Sequence, residues 1–270
     1  MTDTILSLVR SHDPDRFLTA LFAPPMRRDA LLTLYAFDFE LARVREVTTE
    51  PHLALIRLHW WREVIEGAVR RHDVATPLSE LLASGRLTPA HLLPIIDAYE
   101  VEAEPAIESI ADWRAWLLEG PGGVAVAAAH LLEAPDSERF RALGAAHGVA
   151  RLVRWNGFLA SRGRCLLPRE MLAAHSLTIE EAIAAPTSAP VAAALGQAAK
   201  EGLLFLKEFS ARGLPRACIA AALPRVLVGR DLRRGPVPAA GLRDFSYRAA
   251  GPRGFSDRLA VIWSGLLGLA

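Results

Sequence analysis

Apolar positions along this chain recur at three- and four-residue intervals, the spacing of helices with one buried face. In residues 31–46, LLTLYAFDFELARVRE, the side chains Leu31, Leu34, Leu41 and Val44 form one stripe, with Tyr35 and Phe37 beside it. Charged Asp38, Glu40, Arg43, Arg45 and Glu46 crowd the second half of this helix, which the pattern extends over 26–47. Leu53, Ile56, Trp60 and Val64 make the next stripe, over 53–71, and adjacent Trp60 and Trp61 predict burial between several helices. Short helices precede these at 2–9 and 16–22, with Asp13 as an N-cap, Pro14 at a helix start and Pro24–Pro25 as a stop.

Further along, 76–84 reads as a short helix, and Thr88–Pro89 opens another that reaches 104, with Pro94 as a kink point. Residues 107–134 are helical, interrupted at Gly120–Gly123, and VAVAAAHLL after the break is small enough for close helix approach. A long helix follows over 136–160, then a loop at 161–168, short helices at 169–174 and 178–184, and long helices at 191–212 and 215–230. Residues 233–254, rich in Gly, Pro and Arg, predict an irregular segment, and 257–267 a closing helix. No stretch shows strand alternation bounded by hairpin turns, and no long-period repeat is visible. The expectation is an all-α fold, one multi-helix domain over 1–270, larger than a four-helix bundle.

Composition narrows the function classes. The 270 residues are 51% hydrophobic and 23% charged, with a formal net charge of +1. A nucleic-acid binder should be strongly basic, so none is expected. The only lysines are Lys200 and Lys207; arginine supplies the other cations, which suits carboxylate or phosphate pairing and also fits a simple arginine bias. Two cysteines, Cys165 and Cys218, make no disulfide framework and fit a reducing compartment. The N-terminal stretch lacks the basic and apolar regions of a secretory signal, and no uncharged apolar run is long enough to span a bilayer. The expected location is cytoplasmic, with peripheral contact at the inner face of a membrane as an extension. The apolar tail 259–270 reads first as a core-docking helix and second as a membrane-surface contact.

The eight histidines form no HExxH or Cys/His cluster, and nucleophile-elbow and P-loop signatures are absent. One basic constellation stands out. His147, Arg151 and Arg154 share a helix face at i, i+4 and i+7, and Arg162 and Arg164 follow on the loop. It reads either as an anion-facing surface or as a solvated basic face.

The segment LFAPPMRRDALLTLYAF (21–37) resembles the approach to the first catalytic helix of squalene and phytoene synthases. The similarity continues through the helix around Arg57–Glu63, the LGxA start at Leu143–Ala146 and the GRxxLP ending at Gly163–Pro168, covering roughly 13–230. The resemblance implies an isoprenoid-synthase-like bundle with a central cleft. It also implies two Asp-rich motifs on facing helices, which hold Mg²⁺ against an allylic diphosphate. Here the first motif falls on Ala42, Arg43 and Glu46, and only Glu46 keeps a carboxylate. In the second, Arg151 stands at the asparagine position, Arg154 matches, Trp155 replaces the first aspartate and Leu159 the last. Arg164 and Pro168 match the loop. A narrower likeness, Ala36–Phe37, Glu40–Ala42, Val44 and Trp61, points to a branch of the superfamily that includes an assembly factor of respiratory complex I.

Three readings follow from the resemblance. The first is a protein without catalysis, needing no cofactor, that binds an anionic isoprenoid or lipid through Arg43, His147, Arg151, Arg154 and Arg164, or assists assembly of a membrane respiratory complex. The second is a Mg²⁺-dependent prenyltransferase joining two isoprenoid diphosphates head to head. The third is a helical interaction scaffold with no pocket. Convergence of Arg43, Glu46, Arg151 and Arg154 on one cavity would separate the first from the third.

Overall fold

The computed structural model describes residues 3–47, 50–235 and 253–268. Among these residues the chain forms fifteen α-helices and no strand. They are α1 (Asp3–His12), α2 (Pro14–Ala20), α3 (Pro25–Val47), α4 (Pro51–Ile65), α5 (Ala75–Ala83), α6 (Pro89–Val101), α7 (Ile110–Glu119) and α8 (Pro121–Leu131). Then come α9 (Arg141–Ser161), α10 (Arg169–Ala173), α11 (Ile179–Ala184), α12 (Ala189–Glu208), α13 (Ile219–Ala222), α14 (Pro224–Arg234) and α15 (Phe255–Leu267). Six begin on proline, whose missing N–H falls where a helix has no partner for it. Asp13 caps α2 by accepting from the Arg16 amide, as its position before Pro14 predicts.

The stripe of α3 faces inward as expected, but that of α4 is rotated: Leu53 and Ile56 are exposed, and Ala54, Leu58, Trp61, Val64 and Ile65 are the buried set. Leu31, Leu34, Phe37 and Leu41 of α3 are fully buried, and Trp61 of α4 meets Phe37 edge-on at 5.3 Å. One apolar cluster runs from Ile5 to Leu232, and a smaller one, Ile219, Leu223, Leu227 and Val261, lies beneath α15.

Helices α8 and α9 meet at the centre, and their closeness is written in glycine. A Cβ on Gly144 would stand 2.3 Å from the Pro121 carbonyl oxygen, and one on Gly148 2.7 Å from the Pro121 ring. Only hydrogen fits at these two positions. Past this seam the later half of α9 shares a cavity with α3 and α6.

Several boundaries differ from the periodicity. Helix α4 stops at Ile65 rather than 71, because Gly67 takes a φ of +110° that turns the chain out of the helix. Helix α12 ends at Glu208, short of 212. The helix expected over 215–230 is three pieces: a 3₁₀ turn at Arg216–Cys218, then α13 and α14, divided where Pro224 offers no N–H to continue the ladder. Helix α14 in turn runs to Arg234, into the segment expected to be irregular, and stops at Gly235 with φ +71°. Residues 236–252 of that segment lie outside the described residues.

Candidate functional site

Asp38 sits in the apolar stripe of α3, four residues after Leu34 and three before Leu41, and its residue is 3% exposed. A lone carboxylate there would be prohibitively desolvated, so partners must arrive from other helices. Arg16 of α2 donates from Nη2 to Asp38 Oδ2 at 2.6 Å. Tyr99 of α6 donates to Oδ1 at 2.8 Å. Arg151 of α9 brings Nη1 to 3.7 Å from Oδ2. Arg16 is held in turn by Asp13, through its Nε, and lies over the Tyr35 ring at 4.7 Å.

Four helices thus meet on a buried cluster of two carboxylates and two guanidinium groups. Burial alone would raise the acid pKa values; the Arg16 and Arg151 charges overcome it and hold Asp13 and Asp38 below the ordinary range. His147 lies against the same cluster. Burial, then the Arg16 and Arg151 cations, push it down to about 3. Its imidazole is therefore neutral near pH 7, and it cannot serve as the cation that the helix spacing suggested.

Beyond Arg151 a cavity of about 410 Å³ opens between α3, α6, α7 and α9. Phe39, Trp116, Leu152, Trp155, Phe158 and Leu159 give it an apolar wall. Arg43 enters from α3, Arg151 from α9 and Arg164 from the loop that follows. Each has an acid at hand: Glu40 lies 3.8 Å from Arg43, Asp38 near Arg151, and Glu102 takes a hydrogen bond from Arg164. Close to this pair, Arg45 has its Nε and Nη1 buried with no hydrogen-bond partner among the described residues. Burial and the Arg164 charge lower its pKa, while Glu102 opposes them.

The structure therefore gathers Ala42 and Arg43 from the first motif position, and Arg151, Trp155 and Leu159 from the second, on one cavity. Arg164 joins them; His147 and Arg154 do not line it. Arg154 turns the other way, to within 3.9 Å of Asp15 and 3.8 Å of Asp231. Arg253 bridges the same two aspartates, donating to Asp15 at 2.7 Å and to Asp231 at 2.6 Å. The side chain of Glu46 lies outside the described residues.

The donor set does not fit a Mg²⁺ cluster. Among the described residues no group of three or more His, Cys, Asp or Glu could hold a metal ion. Among the described residues that line the cavity, Glu102 is the one carboxylate, and it is already bound by Arg164. Divalent magnesium needs several oxygen ligands, and three neighbouring guanidinium groups oppose it.

Sequence reasoning noted Asp38 without seeing its role, and missed Arg16, Tyr99 and Glu102. A signal for Asp38 was present, since an acid on a helix's apolar stripe demands a buried cation. Nothing in the spacing names which cation answers it.

Comparison with known proteins agrees with this placement. The family model described as squalene/phytoene synthase matches residues 9–237. "NADH dehydrogenase (ubiquinone) complex I, assembly factor 6" of Bos taurus is 24% identical over 230 residues, covering 82% of this chain and 68% of the relative. Its Mus musculus counterpart is 25% identical over the same shares. Among solved structures, a dehydrosqualene synthase in complex with ligand superposes with a TM-score of 0.78 at 14% identity, over 98% of this chain and 95% of that one. Squalene synthase HpnC from Alicyclobacillus acidocaldarius gives 0.63 at 17%, over 98% and 93%. With the matched region spanning both facing helices and the cavity between them, the chain belongs to the squalene/phytoene synthase family.

Proposed function

We propose that this protein is a non-catalytic member of its family, which holds an anionic isoprenoid or lipid directly on arginine and assists assembly of a membrane respiratory complex. The observation that carries the reading is the cavity itself. Arginines stand on the facing helices where a metal-diphosphate site needs carboxylates, and the wall beyond them is apolar and aromatic. A phosphate group accepts well-directed, charge-assisted hydrogen bonds from guanidinium, while a prenyl or acyl chain suits the wall. The role in assembly draws on the relatives named as complex I assembly factors. No described helix is long and apolar enough to cross a membrane. Residence on the inner membrane side is part of the same proposal.

Calorimetric titration with farnesyl diphosphate in EDTA tests the cavity. Saturable binding is expected without divalent metal, weakened about tenfold by Arg43→Ala. Binding that requires Mg²⁺, or that ignores Arg43→Ala combined with Arg164→Ala, refutes the arginine site. Incubation with the diphosphate, Mg²⁺ and NADPH should yield no hydrocarbon; a squalene- or phytoene-type product refutes the non-catalytic reading. A source strain lacking this chain should lose assembled NADH dehydrogenase, and intact complex in that strain refutes the assembly role.

A further inference from the structure

Helix α15 has two unlike faces. Asp257, Val261 and Gly265 point inward. Val261 joins Ile219, Leu223 and Leu227, Gly265 lies against the Phe22 ring, and Asp257 accepts from Arg230 at 2.8 Å and Arg234 at 2.7 Å. The opposite face carries Phe255, Leu259, Ile262, Trp263, Leu266 and Leu267, all exposed, Phe255 at 77% and Trp263 at 66%. Their spacing of i, i+4, i+7, i+8, i+11 and i+12 is one continuous stripe. A surface helix with this many outward apolar side chains is short of a partner.

Charge identifies the partner. The described residues 209–235 and 253–268 hold eight arginines against two aspartates, Asp231 and Asp257, in a chain whose net charge is only +1. Both aspartates are already engaged by arginine. Arg230 donates to the Ser256 carbonyl at one end of α15, Arg216 to the Leu266 carbonyl at the other, and exposed Arg258 stands between. Arg230, Arg258 and Arg216 thus stand along the stripe, and the third acid on this side, Asp15 of α2, is engaged by Arg253. A second copy would bring like charge to like charge, whereas an anionic bilayer offers both an apolar interior and a negative surface. With 13 residues, α15 is too short to span and suited to lie flat, with Trp263 at headgroup depth.

We propose that the outward face of α15 seats this protein on an anionic lipid surface. The proposal stands apart from whatever occupies the cavity, because α15 does not line it.

Co-sedimentation of the full chain with vesicles tests it. Vesicles of phosphatidylcholine mixed equally with phosphatidylglycerol should pellet the protein, and pure phosphatidylcholine should not. Phe255→Ser with Trp263→Ser should lower the partition coefficient at least about tenfold, since each removes a large apolar side chain from the contact. Arg258→Glu should lower it several-fold. All three positions face solvent, so circular dichroism should match the wild type. Wild-type protein left in the supernatant with anionic vesicles overturns the proposal. So does equal partitioning of wild type and the double variant. A wild-type dimer on size exclusion that the double variant splits overturns it in favour of an interface between copies.

Discussion

Tyr99 on α6 donates its hydroxyl to Oδ1 of Asp38 on α3 at 2.8 Å, inside the bundle. The bond closes a ring of helices around one carboxylate that also takes Arg16 and Arg151. Asp38→Ala should therefore destabilise by about 3–5 kcal/mol, because two guanidinium groups lose their shared counter-charge in a desolvated site. Tyr99→Phe removes a donor shared between the Asp38 carboxylate and its backbone carbonyl, and should cost about 1.5–3 kcal/mol. Urea denaturation checks both, and an Asp38→Ala variant within 1 kcal/mol of wild type, on the order of an exposed ion pair, would refute the buried-hub assignment.

His147 gives the fold an acid sensitivity that begins near neutrality. Its folded pKa of about 3 lies below its ordinary value of 6.5. Between those values the unfolded chain takes up a proton that the folded chain refuses. Stability is therefore full above pH 6.5 and falls as pH drops toward 3, by up to ~1.4 kcal/mol per pH unit. Asp13 and Asp38, also depressed, add their loss only as pH falls below their ordinary 3.8. Urea midpoints at neutral and mildly acidic pH should diverge in the wild type and converge in His147→Gln; parallel behaviour of the two proteins would count against an imidazole held neutral in the fold.

At the α8–α9 seam, Gly144→Ala should destabilise by about 1–3 kcal/mol or more, since the new methyl meets backbone that cannot move aside. Gly196 on α12 has nothing within 4 Å of an added Cβ. Gly196→Ala should stabilise by about 0.4–1 kcal/mol. Thermal melts of the pair check this; melting temperatures that shift in the same direction would contradict the geometry.

Arg253 fastens α15 to the bundle. Its guanidinium joins Asp15 of α2 and Asp231 of α14, and it is 9% exposed at the side chain. Arg253→Ala should free the amides of α15 to exchange faster with deuterium while α8 and α9 stay protected. Unchanged exchange in α15 would show that Arg230 and Arg234 suffice to hold it.

Much of this architecture was legible before any coordinates. Proline starts and apolar spacing place most helices within a few residues, because both act locally. Two of the misjudged ends fell where one residue decides, at Gly67 and Pro224. The cavity was legible only in part: of the four side chains expected to converge, Arg43 and Arg151 line it, Arg154 does not, and that of Glu46 lies outside the described residues. Ala42 and Arg43, Arg151 and Trp155 stand on facing helices as the family pattern requires. The surroundings of each cation were not. Helix spacing puts His147, Arg151 and Arg154 on one broad face, but each meets a different environment. Arg151 is shared between Asp38 and the cavity, Arg154 serves the clasp at Asp15 and Asp231, and His147 is half-buried and neutral. Those differences come from side chains far away in sequence, which no local period reports.

The glycine seam also sets where this chain is free to drift. At Gly144 and Gly148 the alphabet shrinks to one letter, because the neighbouring helix already occupies the space of a methyl group. Ala42, Trp155 and Leu159, by contrast, border the open space of the cavity. The shape of the bundle is therefore written most durably at the seam, where packing leaves no choice of residue.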